Sequence, residues 1–289
     1  VYVYVNGAIV EKDQAMVSAF DHGYMYGIGL FETFRVDNGH PFLLDDHFQR
    51  LKASLKEVGI EWSMSKEEVL AVLHKLLDAN QLRDAYVRWN VSAGIHDLGL
   101  YSGGYTEPTT IVYMKPLPKG MLLKKDAVVL QMNRNSPEGS FRFKSHHFLN
   151  NVLAKRELGE ATNVEGVFLT EAGFVAEGIV SNVFWVKDGI VYTPDINTGI
   201  LDGVTRNFVL ALLHKKAIPY QIGYYSKDEL LNADEAFVTN SIQEIVTLQS
   251  INGHSYKGSS LAAKLKRDFD FYKREQLWSR SEVMEEDYE

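Results

Sequence analysis

Three short turns decide most of what this chain can fold into. Asn6-Gly7 stands between "VYVYV" and "AIV", Asp37-Asn38-Gly39 between "LFETFRV" and "HPFLL", and Asp188-Gly189 between "NVFWVK" and "IVYTP". Residues that tolerate positive φ, set between runs of β-branched and aromatic residues, mark hairpins with primed turns. The chain therefore carries antiparallel sheet in both halves. Helical spacing appears between the hairpins. After a start near Asp45–Asp46, Phe48, Leu51, Leu55 and Val58 recur at helical intervals. Ser65, with Glu68 three residues on, reads as a capping box for a second helix burying Val69, Val72, Leu73 and Leu76. "AYVRWNVSAG" and "TTIVYMKPL" read as further strands, which makes the first half an α/β sandwich.

At 289 residues the chain has room for two domains with separate cores. The proline- and glycine-bearing "KPLPKG" is the natural division, giving an N-terminal α/β domain over 1–115, a linker at 116–120 and a larger domain over 121–289. The second domain is expected to hold a helix over about 145–160, the hairpins "GVFLTEAGFVAEG" and "NVFWVKDGIVY", and a helix over 205–216. The strand "EAFVTNS", a helix over about 259–277 and an acidic tail at 281–289 complete it. A formal charge of −8 leaves no basic excess for a nucleic-acid backbone. No apolar run reaches the roughly 18 residues of a membrane span, and the opening residues read as a strand, not a signal peptide. The absence of cysteine excludes disulfides, thiolate catalysis and Cys-ligated metal, and fits a reducing cytoplasm. No metal is expected.

Glycines crowd one stretch, "FDHGYMYGIGLFETFRV" (20–36), at Gly23, Gly27 and Gly29. A dinucleotide fingerprint needs G-x-G-x-x-G at the start of a helix. Here the order is G-x-x-x-G-x-G and a strand follows, so close backbone packing beside a strand is the expectation. A better anion site lies in "GILDGVTRNFVLALLHKK" (199–216), where a glycine-containing loop enters a helix at Thr205. Lys144 lies among Phe141, Phe143 and Phe148, surroundings that suit an amine for Schiff-base chemistry. Glu177, between β-branched residues in "FVAEGIVSNVFWV", is either exposed at a turn or matched to a cation. Each has an ordinary reading alone. Together an amine, a carboxylate and an anion-binding helix start meet the requirements of pyridoxal 5'-phosphate.

In these residues the chain resembles the fold-type IV pyridoxal-phosphate enzymes, which include branched-chain aminotransferases, D-amino acid aminotransferases and 4-amino-4-deoxychorismate lyases. Five motifs carry the resemblance in order: "HFQRL", "KSHHFLNNVLAKRE", "EGIVSNVFWVKDGIVYTP", "GILDGVTR" and "FVTNS". The resemblance implies an α/β (α+β) fold of two domains, the second with a barrel-like β core, and a cofactor in the cleft between them. It implies Arg50, Val204, Thr205 and Ser241 on the cofactor phosphate, Glu177 at the pyridine nitrogen, Ser181 as a further cofactor contact, and Lys144 as Schiff-base lysine and general base. It also implies a homodimer acting on a small molecule.

Departures from the family's patterns separate its branches. D-amino acid aminotransferases carry tyrosine where this chain has Phe31, and "TRG" where it has "VSAG", leaving Ala93 in place of a carboxylate-binding arginine. Arg88 stands five residues earlier on the strand; that odd offset sets it on the face opposite Ala93. The branched-chain enzymes' "GGNYA" is replaced by "SHHFLNN". The resemblance therefore points to the lyase branch, which forms p-aminobenzoate and pyruvate for folate synthesis, with Phe31, Arg88 and Asn240 as substrate contacts. An aminotransferase of D-amino or branched-chain amino acids is the alternative, and a non-catalytic cofactor-binding protein a minor one. His22, His146 and His147 receive no role from sequence.

Overall fold

The computed structural model describes residues 1–118, 120, 124–258 and 260–285. Part of the expected linker and the last four residues of the acidic tail lie outside them. Contacts divide the chain into two compact units, Val1–Lys119 with Phe143–His147, and Gly120–Arg142 with Phe148–Glu289.

The first unit contains β1 (Tyr2–Val5), β2 (Ala8–Glu11), α1 (His22–Tyr26), β3 (Gly29–Asp37), β4 (His40–Pro41), α2 (Leu44–Glu57), α3 (Lys66–Asn80), β5 (Ala85–Ser92) and β6 (Thr109–Pro116). Its six strands run in the order β2-β1-β6-β5-β3-β4, every pairing antiparallel. Asn6 and Gly7 take φ of 42° and 100°, and Asn38 and Gly39 take 51° and 82°, as primed turns require. The second hairpin is short because Pro41 cannot donate to a longer ladder. Alternation on β3 turns Phe34 and Val36 into the core with Val87, Trp89 and Val91 of β5, all fully buried. Phe48 of α2 meets Trp89 edge-on, with centroids 5.2 Å apart. The Ser65–Glu68 capping box forms at the start of α3, an arrangement worth about 1 kcal/mol. Helix α1 had no sequence signal, being only five residues long. Asp21 caps it by accepting from Gly23 N at 2.6 Å, and Gly27 ends it at φ 73°.

The second unit contains β7 (Lys124–Val129), α4 (Leu149–Leu158), β8 (Val164–Leu169), β9 (Val175–Gly178), β10 (Asn182–Lys187), β11 (Ile190–Pro194), α5 (Val204–Lys215), β12 (Tyr220–Gly223), α6 (Lys227–Leu231), β13 (Glu235–Asn240), β14 (Glu244–Ile251), β15 (His254–Ser255), α7 (Ser260–Arg274) and α8 (Glu282–Glu285). Its sheet runs β12-β11-β10-β13-β14-β7-β8-β9, with β15 added to β14. Three pairings are parallel: β11 with β12, β14 with β7, and β7 with β8. Phe174, beside β9, bridges Ser226, and Val175 N donates to Tyr225 O at 2.8 Å. These bonds draw one edge of the sheet toward the segment after β12, so the sheet curls into a barrel-like form. Asp188 and Gly189 take φ of 50° and 79° in the expected hairpin. Phe208, Val209, Leu212 and Leu213 bury one face of α5.

One helix begins later than expected. The segment read as helical from about 145 becomes α4 only at Leu149, because the residues before it are held in an extended pairing described below. Among the described residues no helix is long and apolar enough to cross a membrane. Nor does any group of three or more acidic or histidine side chains there suit a metal ion.

Candidate active site

Lys144 is positioned by backbone hydrogen bonds to the first residues of β3. Phe31 N donates to Lys144 O at 2.8 Å and His146 N donates to Gly29 O at 2.9 Å, with Leu30 and Ser145 bridged between them. Residues 144–146 thus run antiparallel to β3 within the first unit. The glycines permit this closeness. A Cβ on Gly29 would lie 2.4 Å from the His146 ring, and one on Gly27 2.6 Å from the His147 ring. One on Gly23 would lie 2.4 Å from Ser92 Cβ. The glycine run therefore provides space for the lysine segment and its neighbours.

Phe31 forms the floor under the lysine. Lys144 Nζ lies 4.7 Å from the Phe31 ring centroid, and the Arg88 guanidinium carbon lies 3.6 Å from it. Asn90 is directly across from Phe31 and Arg88 from Thr33, so all four share one face of the β3–β5 pair. Arg88 Nε donates to Asn90 Oδ1 at 3.1 Å. His146 lies over the same floor, its ring tilted 29° to Phe31 at 6.3 Å, with Nε2 3.3 Å from Asn90 Oδ1. Burial, then the Arg88 charge, pushes the His146 pKa down to about 4, so this imidazole is neutral at pH 7. Ala93, just past β5, is fully buried.

The opposite face of β3 holds Arg50. Glu32 accepts from Arg50 Nε at 2.8 Å and Nη2 at 2.7 Å, and from His47 Nδ1 at 2.7 Å. Burial raises the Glu32 pKa, but the Arg50 charge and the His47 hydrogen bond outweigh it and hold it at about 2. Burial lowers the pKa of His47 despite Glu32 beside it, leaving the ring a neutral donor. Arg50 is thus held by a two-point grip on a buried carboxylate. Sequence reasoning missed Glu32 and His47. Glu32 shares the period-two face of Leu30 and Phe34, and an acid there requires a cation such as the one three residues after His47 on α2.

The second unit presents a carboxylate and an anion cradle. Glu177 is buried, with Oε1 accepting from Arg134 Nε at 2.8 Å and Oε2 from Leu201 N at 3.0 Å. Arg142 Nε lies 3.9 Å from Glu177 and donates to Gly199 O. Burial, followed by the charge of Arg134, pulls the Arg142 pKa down to about 10. Neither arginine was picked out from sequence; of the readings offered there for Glu177, the one matched to a cation holds. Asn182 Nδ2 donates to Leu201 O at 2.9 Å, fixing the loop that enters α5. Gly203 caps that helix without a side chain, and a Cβ on it would lie 1.9 Å from Asn182 Oδ1. The first-turn N–H groups of α5, beginning with Val204, therefore receive no side-chain cap from Gly203, and the Thr205 hydroxyl in the same turn lies 3.4 Å from that of Ser241. Ser181 Oγ is buried with no hydrogen-bond partner among the described residues.

The remaining candidates are occupied locally. Asn240 Oδ1 accepts from Ile242 N and Gln243 N at 3.0 and 2.7 Å, and its amide nitrogen donates to Gln243 Oε1 at 3.3 Å. His22 is fully buried between Tyr105 Oη at 3.1 Å and Asp97 O at 2.9 Å, a structural role. His147 Nε2 lies 3.2 Å from Tyr26 O.

Pyridoxal phosphate fits these residues. An uncapped helix start with two hydroxyls suits a phosphate, the orphaned Ser181 hydroxyl needs a partner, and each Glu177 oxygen keeps acceptor capacity beyond the bonds it makes. Fold and site together define a pyridoxal-phosphate-dependent enzyme. The profile described as Amino-transferase class IV matches residues 29–251, and the chain belongs to that family. It is 50% identical over 261 residues to the aminodeoxychorismate lyase of Bacillus subtilis (strain 168), covering 89% of each chain. It is 34% identical to the D-alanine aminotransferase of Bacillus licheniformis, over 88% of this chain and 89% of the other. The branched-chain aminotransferase of the thermophilic archaeon Thermoproteus uzoniensis, solved with norvaline, superposes with a TM-score of 0.85 at 26% identity, covering 93% of this chain and 93% of that one.

Proposed function

We propose that the protein is a 4-amino-4-deoxychorismate lyase, converting its substrate to p-aminobenzoate and pyruvate for folate biosynthesis. The observation that supports this reading most is the 50% identity to a lyase over 89% of both chains. The phenylalanine at position 31, under Lys144 and Arg88, agrees with it. The bound cofactor supplies an electron sink for the substrate carbon that bears the amine. Arg50, the first-turn N–H groups of Val204 and Thr205, and the hydroxyls of Thr205 and Ser241 hold its phosphate, with Ser181 a further contact. Glu177, oriented by Arg134 and Leu201 N, holds the proton at its ring nitrogen. Lys144 would hold the cofactor through Nζ, and its amine is the base that takes the ring proton from the aminated carbon. Loss of the enolpyruvyl group as pyruvate then leaves an aromatic ring. Phe31 and Arg88 contact the substrate; Asn240 shapes the turn that carries Ser241.

A cysteine-free chain supports a cytoplasmic location. A homodimer is supported by large exposed apolar side chains on two neighbouring segments, Phe20 and Tyr24 on one and Ile95, Leu98, Leu100 and Tyr101 on the other.

Two assays test the reaction. Aminodeoxychorismate is expected to yield p-aminobenzoate, while D-alanine with 2-oxoglutarate yields no amine transfer. The reverse pattern makes the enzyme an aminotransferase. Lys144→Ala is expected to abolish turnover and the borohydride-sensitive visible band of the holoenzyme.

A further inference from the structure

Lys125 and Glu165 form a buried ion pair that the reaction proposed above does not use, Nζ lying 3.3 Å from Oε2. In the parallel pairing of β7 with β8, Ala127 is directly across from Glu165, so Lys125, two residues earlier, shares that face. Ala127 and Val167, next along the face, belong to an apolar cluster with Val183, Val246 and Leu248. Burying two charges beside such a core adds little net stability, because an apolar pair of similar volume serves as well. What an apolar pair lacks is the ability to hold polar groups in place.

Both ions hold such groups, on two different segments. Glu165 Oε1 accepts from Ile179 N at 3.2 Å, in the bend between β9 and β10 that links Glu177 to Ser181. Gly178 permits the approach, since a Cβ on it would lie 2.8 Å from Glu165 Oε1 and 2.1 Å from Ser181 Oγ. Lys125 Nζ donates to Gln243 Oε1 at 3.1 Å. The same oxygen accepts from Asn240 Nδ2, and Asn240 Oδ1 closes the turn on Ile242 N and Gln243 N. That turn carries Ser241, whose hydroxyl lies 3.4 Å from that of Thr205. A continuous polar path therefore runs from the bend beside Glu177, through Glu165, Lys125 and Gln243, to the Ser241 turn.

We propose that Glu165, Lys125 and Gln243 are positioning residues for pyridoxal phosphate, fixing the bend beside Glu177 at its ring and the Ser241 turn at its phosphate. These roles rest on the cofactor contacts assigned above to Glu177 and Ser241, and hold for a lyase or an aminotransferase alike.

The test is equilibrium dialysis of the full-length chain against pyridoxal phosphate and against pyridoxal, which lacks the phosphate, with thermal melting alongside. Gln243→Leu is expected to weaken pyridoxal phosphate about tenfold or more and pyridoxal less than twofold. Lys125→Met, acting on both segments, is expected to weaken both ligands about tenfold or more. The double variant Lys125→Met, Glu165→Leu separates positioning from folding. Removing both charges together restores the melting temperature to near that of wild type, while affinity for pyridoxal phosphate stays about tenfold or more below it. Glu165→Gln, which keeps an acceptor for Ile179 N, is expected to bind pyridoxal more tightly than Glu165→Leu. Affinity that recovers with stability in the double variant, or Gln243→Leu weakening both ligands equally or neither, overturns the proposal. Gln243 lies half-buried on its turn, where substitutions rarely unfold a chain, so a misfolded core variant does not stall the test. Ser241→Ala and Glu177→Gln probe the contacts themselves: wild-type affinity in both removes the contact assignment, and the positioning roles with it. Weakened binding in those two, with none in Gln243→Leu and the double variant, removes the positioning roles alone.

Discussion

Glu32 shows how much one side chain can hold. Its carboxylate binds Arg50 at two points and His47 at a third, and its pKa is held at about 2, against 4.5 for an unperturbed glutamate. A lowered folded-state pKa stabilises the fold fully above the unfolded value, and that contribution disappears as pH falls toward the folded one. The window is therefore pH 4.5 down to about 2. The gap corresponds to about 3 kcal/mol. Glu32→Gln is expected to lower the unfolding free energy by about that amount at pH 7, with the difference closing as the pH drops through the window. Urea titrations at a series of pH values measure it; a gap that stays constant down to pH 2 contradicts it. Sequence singled out Arg50 by its motif, and Lys144 by its aromatic neighbours together with the motif around it. Glu32 was not singled out, because a strand pattern records that a position faces inward but not which helix supplies its cation. Phe31 was legible as a departure, yet its part as a floor for Lys144 and Arg88 depends on register between strands distant in sequence.

At the scale of elements, hairpin turns and helix caps were readable because their chemistry is local. Asn6-Gly7, Asp188-Gly189 and the Ser65–Glu68 box each concern a few adjacent residues. The start of α4 was not readable, since "SHHFLNN" gives no sign that its first residues pair with Gly29 and Phe31. Helix α1 was equally hidden inside a run that looked like loop. The pairing of 144–146 with β3 depends on the missing side chain at Gly29, where a Cβ would stand 2.4 Å from the His146 imidazole. Gly29→Ala forces that ring and the lysine segment to shift, and overpacking of this kind costs about 1–3 kcal/mol. The expected result is a tenfold to hundredfold fall in kcat/KM, with the far-UV circular dichroism unchanged. Full activity in Gly29→Ala shows that the pairing can adjust without moving Lys144.

Across the whole molecule, two α/β units were legible, but the strand order of the second was not. β7 lies parallel to β14 across more than a hundred residues of chain, and local pattern carries no record of such a partner. Surface character is equally invisible in composition. Leu98 and Leu100 are 76% and 91% exposed, and Tyr24 and Ile95 are 77% and 64% exposed. Backbone bonds hold these residues' segments together: His96 N donates to Phe20 O at 3.2 Å, Asp21 bridges Ile95, and Gly99 N donates to Tyr26 Oη at 2.9 Å. Apolar side chains gathered on an ordered surface are characteristic of a contact with another chain. Covering one leucine contributes about 1.5–3 kcal/mol. A charge at both Leu98 and Leu100 opposes association by that loss and by the cost of burying two carboxylates. Wild type is accordingly expected to sediment at twice the 32.7 kDa chain mass. The Leu98→Asp, Leu100→Asp double variant is expected to weaken the dimer by about a thousandfold or more, sedimenting as a monomer at micromolar concentration. A double variant that stays dimeric places the interface on another face; a monomeric wild type removes the dimer altogether.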